Sequence, residues 1–198
     1  MEHAFPTWVD GAPRGFLEFG IRVREWLARG RRGSIVFRVL FVCTGNTCRS
    51  PMAAGALRER VRREEPATVE IAVQSAGTLA VEGRPAAREA VQACAGEGID
   101  IRDHRSQPLS RELLAHSDLI LVMEEAHRGE VLLLDPQAAS RVHLIGDYAF
   151  LGEPEGKGAR EVPDPIGGSP EDYRRTLRQL NGFIERIWQR IAGRMPRP

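Results

Sequence analysis

A cysteine, an arginine and a serine stand close together in the segment Cys43-Thr44-Gly45-Asn46-Thr47-Cys48-Arg49-Ser50. An almost wholly apolar run, residues 35–42, precedes the segment, and a helical pattern follows it. This order puts the Cys43 thiol at the carboxyl end of a strand, with the backbone amides of the loop leading into a helix N-terminus. Consecutive amides and the helix dipole bind anions and favour a thiolate. The segment therefore predicts a nucleophilic cysteine in an anion-binding loop.

Two side chains of this segment favour phosphate as the anion. Arg49, six positions after Cys43, can present two parallel donors to a phosphate group. Ser50 is placed to donate a hydrogen bond to the thiolate. Lys157 is the only lysine of the chain and is followed by Gly158, which excludes a Walker-type phosphate loop and a lysine Schiff base elsewhere. Phosphate recognition must therefore use arginine and backbone amides.

Strand and helix patterns alternate along the chain, and the elements that they predict must position this loop. Short β-rich runs predict four strands, at residues 35–42, 69–73, 118–123 and 141–145. Helical patterns predict helices at residues 51–63, 86–97, 124–134 and 170–191, with a long loop over 146–168. The sequence therefore predicts the α/β class: a single doubly wound domain whose four-stranded parallel sheet is flanked by about five helices.

Residues 1–34 stand outside this pattern and are predicted to form an N-terminal extension, which leaves residues 35–198 as the domain. An apolar stripe within residues 14–29 predicts an amphipathic helix in the extension. Such stripes usually pack on the protein's own domain. Binding to a partner or to a membrane surface is the alternative.

Composition limits the cellular compartment and the classes of partner that we expect for the chain. Over its 198 residues the formal net charge is +1, so the chain lacks the large positive charge with which proteins bind nucleic acid. No run approaches the roughly 20 apolar residues of a membrane span, and the start lacks the layout of a signal peptide. Three cysteines are too few for a disulfide-stapled secreted fold. We therefore expect a cytoplasmic protein without nucleic-acid or membrane partners.

The segment from Cys43 to Met52 resembles the active-site loop of the low-molecular-weight protein-tyrosine-phosphatase family. A second motif, Asp164-Pro165 in the loop before the last helix, is similar to the acid loop of that family, and the resemblance covers about residues 37–192. It implies that Cys43 attacks phosphorus, that Arg49 clamps the phosphate, and that Asp164 protonates the leaving group and later serves as the base for water. The phosphate-binding residues that it implies are Thr44, Gly45, Asn46, Thr47, Cys48, Arg49 and Ser50.

Further residues match supporting positions of the family. Asn46 and Ser75 match positions that brace the loop by hydrogen bonds, and His104 resembles a supporting histidine. Three other histidines show no metal-ligand spacing and are interpreted as surface or packing residues: His116, His127 and His143. The proposed chemistry requires no metal, and we expect no cofactor.

Cys48 lies five residues after Cys43 on the same loop. One interpretation is a small buried side chain without a further role. The other is a redox partner that captures an oxidised Cys43 as a disulfide, a feature of family members with a cysteine at this position. The second interpretation implies reversible inactivation by peroxide.

Two positions bear on the leaving group of the phosphorylated protein substrate. Thr47 stands where many tyrosine-specific members of the family carry a bulkier aliphatic residue, and Ile166 lies in an acid loop without their aromatic pair. The resemblance to the family as a whole implies phosphotyrosine. The details of both loops instead resemble the bacterial subgroup that acts on phosphoarginine. The physical reason for that substrate is that a threonine hydroxyl leaves polar space for a guanidinium. Both substrates stay open, with Thr47 and Ile166 as the selectivity residues.

Two other functions use the same loop. Arsenate reductases share the fold but relay a disulfide through two further cysteines, and Cys94 is the only cysteine outside the loop. A phosphate-binding domain without turnover would lack the acid, and Asp164 argues against it. A protein phosphatase is therefore the predicted function.

Overall fold

The strand that ends at Cys43 lies in the middle of a parallel sheet. The computed structural model describes residues 35–64, 69–153 and 160–193. Four strands, β1 (Val36–Cys43), β2 (Glu70–Gly77), β3 (Leu119–Val122) and β4 (Val142–Leu144), pair in parallel in the order β2-β1-β3-β4. The strand order changes direction between β1 and β3, and ligands bind at such a point beside the carboxyl ends of the strands. The loop after Cys43 therefore lies at the ligand-binding edge of the sheet.

Six α-helices and one 3-10 turn, Pro136–Ser140, accompany the strands within the described ranges. The helices are α1 (Arg49–Glu64), α2 (Arg88–Gly96), α3 (Arg111–Ala115), α4 (Glu125–Leu134), α5 (Ile145–Ala149) and α6 (Pro170–Ala192). The predicted α/β fold with a four-stranded parallel sheet is confirmed. The sequence patterns missed α3 and α5, because a helix of five residues is too short to show a 3.6-residue period.

Two boundaries differ from the predicted ones in ways that shape the loop. Helix α1 begins at Arg49, so Arg49 and Ser50 belong to its first turn rather than to the loop. Pro51 is compatible with that turn, because the first amides of a helix have no partner within it. Strand β2 continues to Gly77 and pairs Ser75 with Phe41 of β1. Ser75 is therefore fixed by the sheet beside the loop.

The sheet is covered on both faces, which explains the nearly continuous apolar sequence of β1. Phe37 and Phe41 pack with α1, α2 and α6 on one face, whereas Leu40 and Val42 pack with α4 on the other. Burial of one such side chain contributes about 1.5–3 kcal/mol to stability. Cys43 belongs to the first of these clusters, so its position is set by the core.

Helix α6 follows the apolar pattern predicted for the last segment. Ser169 and Asp172 form a capping box at its start, and Pro170 occupies the first turn. The seven predicted inward positions are all buried: Tyr173, Leu177, Leu180, Ile184, Ile187, Trp188 and Ile191. The helix packs on α1 and α2, and its first turn brings Tyr173 to the loop.

The N-terminal extension predicted over residues 1–34, with its amphipathic helix, lies outside the described residues, as do residues 154–159 of the predicted long loop. Its helix therefore stays a prediction. Across the described ranges, no helix combines the length and the apolar character needed to cross a membrane.

Candidate active site

The Cys43 sulfur lies at the base of a short loop that leads directly into α1. Its Sγ is buried and lies 3.0 Å from Ser50 Oγ. Ser50 Oγ also accepts a hydrogen bond from Asn46 Nδ2 at 2.8 Å, so the hydroxyl hydrogen remains for a second contact. The sulfur is the nearer acceptor, because the Ala76 carbonyl oxygen lies 3.4 Å away. Ser50 is therefore placed to donate to Cys43, as the sequence predicts.

Asn46 connects the loop to three neighbouring segments. Its Nδ2 donates to Ser75 Oγ at 2.9 Å as well as to Ser50, and its Oδ1 accepts from the Gln107 amide at 2.9 Å. Its carbonyl oxygen lies 2.7 Å from His104 Nε2, which must donate because a carbonyl only accepts. Burial lowers the pKa of His104, which keeps the ring neutral at pH 7. The structure thus brings the predicted supporting residues Asn46, Ser75 and His104 together.

Asn46 also has a backbone φ of 53°, in the left-handed region that glycine and asparagine adopt most readily. We expect Asn46→Ala to lower the free energy of unfolding by about 3–5 kcal/mol, because backbone strain adds to the lost hydrogen bonds. Asn46→Gly removes the same hydrogen bonds without the strain and should cost about 1–2 kcal/mol less. Urea unfolding measures both. An Asn46→Gly variant as stable as the wild type would contradict this bracing role.

Gly77 allows the loop to lie against the end of β2. It pairs with Cys43 in register, and a Cβ at this position would lie 2.5 Å from the Thr44 carbonyl oxygen and 2.8 Å from the Asn46 nitrogen. The next turn completes the contact, since the Leu79 amide donates to the Thr44 carbonyl at 2.9 Å. Glycine is therefore required by the close approach of two backbones. The sequence alone does not single out Gly77, because no local pattern shows which glycine meets the loop.

Arg49 is only 1% exposed and lies between two carboxylates. Its NH1 contacts the Val162 carbonyl oxygen and Glu124 Oε2, each at 3.0 Å. Its NH2 contacts Asp164 Oδ2 at 2.6 Å and Thr44 Oγ1 at 3.3 Å. The buried Nε has no hydrogen-bond partner among the described residues. A buried N–H donor without a partner is unusual, and an anion in the loop would supply one.

Asp164 is held at the loop by a tight turn. Its Oδ1 accepts from the Ile166 amide at 3.2 Å, while Oδ2 is bound by Arg49. The Gly168 amide donates to the Pro165 carbonyl at 2.9 Å, and Gly167 between them has a φ of 75°. The Asp164 side chain remains 32% exposed. The predicted acid therefore reaches the loop and is accessible to a ligand.

Comparisons with known proteins agree with this geometry. The family model described as low molecular weight phosphotyrosine protein phosphatase matches residues 38–195. The chain belongs to this family. A probable low molecular weight protein-tyrosine-phosphatase, EpsP of Ralstonia solanacearum, is 41% identical over 80% of this chain and 94% of its own length. A protein-arginine-phosphatase of Geobacillus stearothermophilus is 33% identical over 78% of this chain and 96% of its own length.

A solved structure of the same phosphatase family has a similar fold. It is the YwlE arginine phosphatase in a cysteine-to-serine mutant with a phosphorylated active-site serine. The two chains superpose with a TM-score of 0.71 at 29% identity, over 79% of this chain and 96% of that one. The fold predicted from the strand and helix patterns is therefore confirmed by a solved relative.

His127 occupies a place in this phosphatase site that the sequence analysis did not assign. It is only 3% exposed, and its Nε2 lies 2.8 Å from Thr44 Oγ1. Its Nδ1 accepts from the Glu124 amide at 3.2 Å, as part of a capping box at the start of α4. It is thus more than a surface or packing residue. The capping-box spacing of Glu124 and His127 was the available signal, but nothing in the sequence links α4 to Thr44.

The other two histidines of that group are placed as expected. His116 is bound to the Glu112 carbonyl oxygen at the end of α3. His143 lies against the Tyr148 ring, with centroids 5.4 Å apart, and burial lowers its pKa to about 4.

Cys48 is buried beside a tyrosine that the sequence analysis did not connect with it. Its Sγ lies 3.6 Å from Tyr173 Oη and 3.7 Å from Thr47 Oγ1. Burial raises the pKa of the Cys48 thiol, so it is not a ready thiolate. Cys43 and Cys48 are both free thiols in the structure. Disulfide formation between them stays a prediction.

Proposed function

We propose that the chain is a cysteine-dependent phosphatase that hydrolyses phosphotyrosine in phosphorylated proteins. The observation that carries the proposal is that Arg49 joins the loop of Cys43 to Asp164, with 2.6 Å between the guanidinium and the carboxylate. Nucleophile, anion-binding cation and acid thereby meet at one edge of the sheet. Displacement at phosphorus depends mainly on positioning and charge stabilisation, which these groups supply.

In the first step, the Cys43 thiolate attacks phosphorus. An S–P bond forms while the bond from phosphorus to the tyrosine oxygen breaks, and Asp164 gives its proton to the departing oxygen. Ser50 stabilises the thiolate from 3.0 Å. The attack produces a cysteinyl-phosphate and a free tyrosine side chain, and the covalent intermediate divides a difficult hydrolysis into two easier displacements.

In the second step, Asp164 takes a proton from a water molecule, and the oxygen of that water attacks phosphorus and forms an O–P bond. The S–P bond breaks, which releases inorganic phosphate and restores the Cys43 thiolate. Arg49 and the loop amides bind the equatorial oxygens in both steps. Because Asp164 Oδ2 contacts Arg49 NH2, a phosphoryl oxygen that binds this nitrogen competes with the carboxylate, and its binding frees Asp164 for the leaving group.

Two exposed apolar side chains beside the loop support an aromatic leaving group. Leu79 is 72% exposed, and its backbone is bonded to Thr44. Ile166 is 68% exposed, and its backbone is bonded to Asp164. Apolar side chains next to the nucleophile and next to the acid suit contact with a phenyl ring.

Phosphoarginine is the second candidate substrate, and Thr47 favours it. Its side chain is half-buried, and within the described residues its Oγ1 contacts the Cys48 sulfur, at 3.7 Å. Such a long contact leaves the hydroxyl able to accept a hydrogen bond from a guanidinium. The threonine side chain offers an aryl ring little apolar surface.

We expect Thr47→Ile to shift the ratio of kcat/KM for a phosphotyrosine peptide over that for a matched phosphoarginine peptide towards phosphotyrosine by about tenfold or more, because it replaces a hydroxyl by apolar surface. Thr47→Ser retains the hydroxyl and is the control. Inorganic phosphate release from both peptides measures the ratio. An unchanged ratio in Thr47→Ile would exclude Thr47 as the selector, and release from neither peptide by the wild type would contradict the proposed function.

Arsenate reduction receives no support from Cys94. This thiol is fully buried on α2, and burial raises its pKa to about 12. A thiol that rarely ionises and does not reach the surface is a poor relay for a disulfide. We propose the cytoplasm as the location, since three cysteines are too few for a disulfide-stapled secreted fold.

A further inference from the structure

Thr44 carries a hydroxyl whose direction is fixed by two neighbours. A hydroxyl oxygen has two lone pairs and one hydrogen. Arg49 NH2 lies 3.3 Å from Thr44 Oγ1, and a guanidinium only donates, so one lone pair is occupied. His127 Nε2 lies 2.8 Å from the same oxygen. The direction of this second bond depends on which ring nitrogen carries the hydrogen.

The backbone of α4 determines the tautomer of His127. The Glu124 N–H points at His127 Nδ1 from 3.2 Å, so Nδ1 must accept and carries no hydrogen. Burial, with the nearby charge of Arg49, lowers the pKa of His127 and keeps the ring neutral. With Nδ1 as the acceptor, the hydrogen of the neutral ring is on Nε2. Nε2 donates to Thr44 Oγ1 at 2.8 Å, since Glu124 Oε2, the other acceptor near it, is 3.6 Å away.

Both lone pairs of the Thr44 hydroxyl are thus occupied, and its hydrogen must find an acceptor elsewhere. Within the described part of the chain, Arg49 and His127 are the two hydrogen-bond partners of Thr44 Oγ1, and both are donors. Thr44 directly follows the nucleophile, and the guanidinium nitrogen that it contacts is the one bound to Asp164. The hydroxyl hydrogen therefore has no acceptor among the described residues, and an anion bound at this guanidinium would supply one.

We propose that the Thr44 hydroxyl donates a hydrogen bond to a phosphoryl oxygen of the bound substrate, and that His127 is the positioning residue that directs this hydrogen. The inference rests on the proposed function, and it adds a side-chain donor to the backbone amides and Arg49. Because the acceptor is a phosphoryl oxygen, the contribution of the Thr44 hydrogen bond to substrate binding is independent of the leaving group.

Binding of inorganic phosphate tests the role of Thr44, measured by competitive inhibition of p-nitrophenyl phosphate hydrolysis. We expect Thr44→Val, which keeps the shape but removes the hydroxyl, to weaken phosphate binding about tenfold to a hundredfold, as for a hydrogen bond to a charged group. Thr44→Ser keeps the hydroxyl and should recover most of that loss. The proposal would be overturned if Thr44→Val bound phosphate within about twofold of the wild type, which is the range of a neutral substitution.

A double-mutant cycle tests whether His127 acts through Thr44. His127→Leu should weaken phosphate binding about threefold to tenfold in the wild-type background but have no effect in Thr44→Val. His127→Gln offers an acceptor and a donor at a similar separation and should recover most of the loss. Equal effects of His127→Leu in both backgrounds would show a general structural role and overturn the positioning role.

The outcomes also separate this inference from the proposed function. A wild-type chain that turns over p-nitrophenyl phosphate, with a Thr44→Val variant that binds phosphate equally well, would overturn the inference alone. A wild-type chain that neither binds phosphate nor hydrolyses the ester would overturn both. A loss in Thr44→Val that differs between phosphotyrosine and phosphoarginine peptides would place the hydroxyl on the leaving group and overturn the assignment to phosphoryl oxygen.

Discussion

Cys43→Ser is expected to lower kcat for p-nitrophenyl phosphate by at least about a thousandfold, because a serine hydroxyl is un-ionised at neutral pH and is a much weaker nucleophile than a thiolate. The substitution changes one buried atom, so the loop, the Arg49 contacts and phosphate binding should persist. Initial rates measure the effect, and thermal unfolding establishes that the variant is folded.

Cys94→Ala is the matched control for Cys43→Ser. Cys94 is also a buried free thiol, but it lies on α2 and is not part of the loop. Its replacement should leave kcat within about threefold of the wild type, since only a small core group is lost. Residual activity of Cys43→Ser above one tenth of the wild type would contradict the assignment of the nucleophile.

Asp164→Asn is expected to lower kcat for a phosphotyrosine peptide by about a hundredfold to ten-thousandfold, the range typical of losing a general acid. The loss should be smaller for aryl phosphates with more acidic phenols, which leave without a proton. The same variant should bind inorganic phosphate more tightly, because a neutral amide competes less well than a carboxylate for Arg49 NH2. A plot of log kcat against the pKa of the leaving phenol measures the first effect.

Glu124→Gln provides the comparison for Asp164→Asn. Glu124 also contacts Arg49, at 3.0 Å through NH1, so both variants remove one negative charge from the same guanidinium. Only Asp164 is proposed to reach the leaving group. Glu124→Gln should therefore lower kcat by the same factor for all aryl phosphates, whatever the pKa of the leaving phenol. An equal dependence on leaving-group pKa in the two variants would show that Asp164 acts on Arg49 rather than as the acid.

The sequence predicts those parts of the site that adjoin one another in the chain. Cys43, Arg49 and Ser50 lie on a single strand–loop–helix connection, and the parallel-sheet pattern places that connection at a ligand-binding edge. Asp164 is more remote, and the resemblance to a family was needed to pair it with Cys43. The structure brings all four together.

The remaining contacts arise from tertiary structure, which local patterns do not encode. Glu124 and His127 reach the loop only because β3 lies beside β1 and α4 begins at the edge of the sheet. The Val162 carbonyl belongs to the backbone, so its side chain gives no signal that it binds Arg49. Gly77 is one of 20 glycines, and only the register of β2 against β1 shows that it meets the loop.

The sulfur of Cys43 is carried by the last residue of the central strand, and the side chains of β1 that precede it are fully buried from Leu40 onward. Central strands exchange their amide protons slowly, because they open only when the whole domain opens. Heat inactivation should accordingly coincide with global melting instead of preceding it.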